Sequence, residues 1–118
     1  MLPVMRKLIA VLLFAATTTA AAGEVTLTGE IVDLHCYTGT GAHAGARGED
    51  HAGCANSCIS RDVPAGFLAD DGTLYLLVNE TPVSVKEKVA GKAGKKVKAK
   101  GKVVERSGLK ALQLTCVE

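Results

Sequence analysis

The chain predicts a mainly β protein, a five-stranded barrel with a long first loop carrying a short helix and a second short helix before strand 4. Three observations predict it. Apolar and polar residues alternate at period two over 25–31, 97–103 and 109–117. Two tight-turn sequences, Asp70-Asp71-Gly72 and Arg106-Ser107-Gly108, separate runs of β-forming residues. A single long connection, His35–Pro64, stands between the first strand and the rest.

Met1–Ala22 reads as a signal peptide. Arg6 and Lys7 precede an apolar run from Leu8 to Ala16, too short for a membrane span of about 20 residues. Ala20-Ala21-Ala22 supplies small residues for cleavage before Gly23. The expectation is a single domain over 23–118, periplasmic or extracellular, with no stable membrane insertion after cleavage.

The first strand runs over Gly23–Leu34, where Val25, Leu27, Gly29 and Ile31 alternate with Thr26, Thr28 and Glu30. Gly29 in its middle marks a bulge or bend. Five glycines fall between 39 and 53, and a helix is expected from about Asp50 to Arg61. A hairpin follows, with Gly66–Ala69 and Thr73–Val78 as its strands. Val83–Ala90 reads as a short helix between Pro82 and Gly91. Val97–Val104 and Leu109–Val117 make the last hairpin, with Val97, Ala99, Gly101 and Val103 inward and the intervening lysines outward. The expected core is Val25, Leu27, Ile31, Phe67, Leu74, Leu76, Val89, Val97, Val103, Leu112 and Leu114.

This order of elements matches the OB-fold, a small Greek-key barrel that binds ligands through its first loop. The architecture resembles small exported OB-fold domains, among them the haem chaperone of cytochrome c maturation. That chaperone's His, followed four residues later by Tyr, has no counterpart after Glu80, so haem binding is not implied. Cys36-Tyr37 followed by His51-x-x-Cys54-x-x-x-Cys58-Ile59 resembles a pattern of small exported bacterial OB-fold-like domains with no assigned activity. The resemblance implies fold and compartment and no chemistry. Cys54-x-x-x-Cys58 is also similar to the copper chaperones of cytochrome oxidase assembly. Here Ile59 stands in place of their Pro, and the βαβ pattern of their thioredoxin-like fold is missing.

All three histidines and three of the four cysteines lie within 35–58. On a helix, His51, Cys54 and Cys58 share one face. Cys36 at the end of the first strand supplies another thiol, with His35 as the alternative from the same place. Cys36, His51, Cys54 and Cys58 would close a tetrahedral shell around one transition-metal ion, Cu(I) or Zn²⁺, for handling or sensing. A filled shell has no open position for an activated water, which argues against hydrolysis. Two alternatives stay open: a structural or protein-interaction domain whose long loop is closed by disulfides, and a thiol redox protein. Cys116 is expected as a core thiol or the partner of Cys36. His43 reads as a solvated loop residue, and Asp33 and Asp62 as surface residues that could orient an imidazole.

Charge is segregated. Residues 23–85 carry two basic side chains against nine acidic, and 86–110 carry ten against two. With only Tyr37, Phe67 and Tyr75 as aromatics in 23–118, base stacking has little to work with, so nucleic acid is not expected. The lysines read as a solvated face that could attract an acidic protein partner. No paired catalytic carboxylates, Ser-His-Asp set or phosphate loop is legible, so an enzyme is not expected.

Overall fold

The computed structural model describes residues 23–80 and 82–118; the expected leader, Met1–Ala22, lies outside them. Five strands form the wall: β1 (Val25–Asp33), β2 (Ala65–Ala69), β3 (Leu74–Asn79), β4 (Lys96–Arg106) and β5 (Leu109–Val117). Among the described residues, three helices accompany them: α1 (Leu34–Tyr37), α2 (Glu49–Ser60) and α3 (Val85–Lys88). The strands close in the order β1-β2-β3-β5-β4, with β3 and β5 parallel and the other pairs antiparallel. This is the expected OB-fold-like barrel.

Closure depends on β1 changing partners. Its residues 25–30 pair with β4 and its residues 29–33 with β2. Gly29 sits at the handover, where a Cβ would collide with the Leu68 carbonyl oxygen. The bend expected at Gly29 is therefore a close approach of two backbones. Gly101 does the same against the Gln113 carbonyl, beside a register shift between β4 and β5.

Ile31, Phe67, Val89, Val97, Leu112 and Leu114 are buried together as expected, and Leu27 and Val103 pack against them. Three expectations need correction. In β3 it is Leu77 and Tyr75 that join the core, while Leu74 and Leu76 are half-buried on the other face. Phe67 points inward and lies opposite Tyr75, so Tyr75 shares its face. Residues 74–78 are apolar throughout, so alternation could not choose the face. Val25 is 37% exposed at the start of β1. Cys116 is half-buried opposite Lys100, because the register shift turns Val117 inward in its place.

α3 is shorter than the expected Val83–Ala90. Ser84 caps it, accepting from the Glu87 N–H at 3.2 Å, while Glu87 Oε2 accepts from the Ser84 N–H at 3.2 Å. The segregated charges meet across the barrel surface. Lys96 pairs with Asp70, Lys100 with Glu24 and Lys102 with Glu80, so acids of this chain occupy three lysines of β4.

α2 lies against the barrel through Ala55 and Ile59. Asn56 Oδ1 accepts the Ala93 N–H at 3.0 Å, and the Gly94 N–H donates to the Ile31 carbonyl at 3.1 Å. These bonds hold the helix beside the end of β1, where the cysteines gather.

Candidate metal centre

α1 was not expected; the sequence places 35–49 in an irregular loop. Its cause is Asp33. The residue is extended (φ −78°, ψ 127°), and its Oδ1 accepts the Cys36 N–H at 2.7 Å, which caps one helical turn. The Leu34 N–H meanwhile donates to the Pro64 carbonyl at 2.9 Å, tying both ends of the long connection together. Cys36 is thereby aimed from a helical turn rather than from a strand.

Gly48 (φ +79°) is the N-cap of α2, and Glu49 and Asp50 stand in its first turn, where the helix dipole favours negative charge. Its buried stripe carries Ala55 and Ile59, and the adjoining stripe carries His51, Cys54 and Cys58. Packing the first stripe on the barrel turns the second toward α1.

Cys36, His51 and Cys54 converge there. One ligand atom from each lies within 4.8 Å of the others. Cys58, expected as a further donor, stands beside Cys54 but is not a member of that set; nor is His35, which is exposed. All four cysteines are free, so the loop-closing disulfides that the sequence allowed are not formed, and Cys116 does not pair with Cys36.

Asp33 is the residue that sequence reasoning undervalued. It is fully buried (0% exposed), and its Oδ2 lies 2.9 Å from His51 Nε2. An ionised carboxylate can only accept, so Nε2 is the nitrogen that donates to Asp33, which leaves Nδ1 as the one free for another partner. One carboxylate thus holds two of the three converging residues, Cys36 through its backbone and His51 through its ring. Such a partner fixes ring orientation and raises imidazole basicity at metal sites. A signal was present: Asp33 shares the inward parity of Ile31, and a charge in a core-facing position needs a partner. Asp62, the other residue beside the cluster, is exposed and pairs instead with Lys86 at 2.8 Å.

The protonation states follow from the same geometry. Burial alone would raise the Asp33 carboxyl, but the Cys36 N–H and the His51 ring outweigh it and hold it below the ordinary aspartate value. Burial and the Asp33 carboxylate push the Cys36 thiol up to about 11. Cys58 is raised too, by burial and by its bond with the Cys54 thiol. Neither Cys36 nor Cys58 is therefore an activated thiolate at neutral pH, which disfavours redox attack from these two sulfurs. A bound cation reverses that balance, because it replaces the thiol protons.

Compared with known protein families, with curated proteins and with solved structures, the chain matches none. Fold and site define it as a small OB-like barrel with a cysteine–histidine cluster at the end of its first strand, able to hold a metal ion.

Proposed function

We propose that this is an exported metal-binding protein that handles or senses a soft transition-metal ion, Cu(I) or Zn²⁺. The observation that carries it is the convergence of Cys36, His51 and Cys54 within 4.8 Å, with the buried Asp33 behind the imidazole. Two sulfurs and a nitrogen suit either ion and are poor ligands for Mg²⁺ or Ca²⁺. Export rests on the Met1–Ala22 pattern, and it would place the cluster in a compartment where free thiols need protection by metal or by reduction.

The test is elemental analysis of untagged protein after anaerobic reconstitution with Cu(I) or Zn²⁺, repeated on Cys54→Ser and His51→Ala. About one equivalent in the wild type, lost in both variants, is expected. Less than about a tenth of an equivalent in the wild type rules metal binding out. A thiol redox protein is the second reading, favoured by the exposed Cys54 beside Cys58. It predicts a reversible loss of two titratable thiols on mild oxidation, retained in His51→Ala.

A further inference from the structure

Three converging donors leave a tetrahedral ion one ligand short. Resting on the metal site above, we infer that His43 is the fourth ligand, making a Cys₂His₂ shell suited to Zn²⁺. The ring of His43 lies beside that of His51, with centroids 6.1 Å apart and planes inclined by 36°. Two imidazoles on one tetrahedral ion, each at an N–Zn distance of about 2 Å, have centroids about 5 Å apart. The observed separation exceeds that by about 1 Å, and the His43 ring nitrogens are not among the three ligand atoms that lie within 4.8 Å of one another.

The segment carrying His43 is shaped for that approach. Its two turns are closed by Ala44 N–H to the Gly41 carbonyl at 3.0 Å and Ala46 N–H to the His43 carbonyl at 2.9 Å. The Gly45 N–H donates to the Tyr37 carbonyl at 3.0 Å, and Arg47 pairs with the buried Glu30, so the segment is tied to α1 and to β1 just after His43. On either side of His43, nothing lies within 4 Å of the Cβ positions of Gly41 and Gly45, which leaves room for a shift of about 1 Å. His43, His35 and Cys36 also border one cavity of about 340 Å³, whose lining does not include His51 or Cys54. Cys58 lies one helical turn beyond Cys54, with its thiol hydrogen-bonded to that of Cys54, so it is the competing fourth donor that the experiment must separate from His43.

Co²⁺ reports the shell through its visible bands, and competition with a chromophoric chelator reports Zn²⁺ affinity. Wild type, His43→Ala and Cys58→Ser are compared under anaerobic conditions. His43 is exposed, so its removal should leave the far-UV circular dichroism unchanged. The expected result is a shift of the Co²⁺ bands and a weakening of Zn²⁺ binding by about tenfold or more in His43→Ala, with Cys58→Ser like wild type. Unchanged bands and affinity in His43→Ala would overturn the assignment. So would a drop of about a third in sulfur-to-cobalt charge transfer in Cys58→Ser, which would count Cys58 as a third thiolate. Wild type that loads Cu(I) but neither Co²⁺ nor Zn²⁺ overturns His43 alone. Wild type that takes up none of the three removes the metal site as well.

Discussion

The barrel wall and the crossover from β1 to β2 are held by different physics. In the wall, Ile31, Phe67, Leu112 and Leu114 are each fully buried, and every strand has two neighbours. In the crossover, residues 34–64, only Ala55 and Ile59 are buried, and the rest is fastened to its surroundings by isolated polar contacts: Cys36 and His51 with Asp33, Arg47 with Glu30, Asn56 with Ala93 and Asp62 with Lys86. The wall is redundant, because many apolar contacts share the work. The crossover is not, and Asp33 alone reaches both α1 and α2. Ligand sites belong on such a segment, since its side chains are free for chemistry while the wall supplies rigidity.

The largest test of this contrast is Leu112→Ala. A cavity in the shared core should cost about 2–5 kcal/mol, read as a lower midpoint in urea unfolding. A loss below about 1 kcal/mol would mean that the wall is less cooperative than its packing implies.

Gly29→Ala comes next. The added Cβ meets the Leu68 carbonyl where β1 changes partners, and we expect a loss of about 1–3 kcal/mol, again by urea unfolding. An unaffected variant would show that the two backbones can part there without cost.

Asp33→Asn sharpens the comparison from the other side. Metal affinity should fall by about tenfold to a hundredfold, because the imidazole loses its anionic partner. The variant should also change the acid limb of stability. The folded-state value of Asp33 lies below its unfolded one, so its contribution is complete above the unfolded value and disappears as pH falls through the folded one. Asp33→Asn should therefore flatten the pH dependence of the thermal midpoint below the ordinary aspartate value. An unchanged acid limb would count against the buried carboxylate.

The smallest effect is expected for Cys54→Ser in metal-free protein. Cys54 is exposed, and its thermal midpoint should match wild type. Added Zn²⁺ should raise the wild-type midpoint with concentration and leave the variant unmoved. A large loss in the metal-free variant would mean that the crossover contributes to the wall after all.

Several features were legible residue by residue. Period-two alternation located β1, β4 and β5, and Asp71-Gly72 and Ser107-Gly108 located the turns of the β2–β3 and β4–β5 hairpins; Gly72 and Gly108 have φ of +88° and +82°. Helical spacing placed His51, Cys54 and Cys58 on one stripe of α2. Where alternation was silent, the reading failed. Residues 74–78 have no polar face, so the choice of Tyr75 and Leu77 over Leu74 and Leu76 came from Phe67 on the neighbouring strand. At Cys116 the alternation was present but the register shift opposite Lys100 overrode it.

The sequence by itself determined the barrel and the cysteines and histidines that are candidates for a metal site, because strand periodicity, turn glycines and helical spacing act over a few residues. Only the tertiary structure decided which of those residues meet. Asp33 and His51 are 18 positions apart, and their bond exists because Ala55 and Ile59 seat α2 beside the end of β1. No local pattern encodes that meeting. It is set by chain closure and by the need of a buried carboxylate for donors, and both are properties of the folded chain.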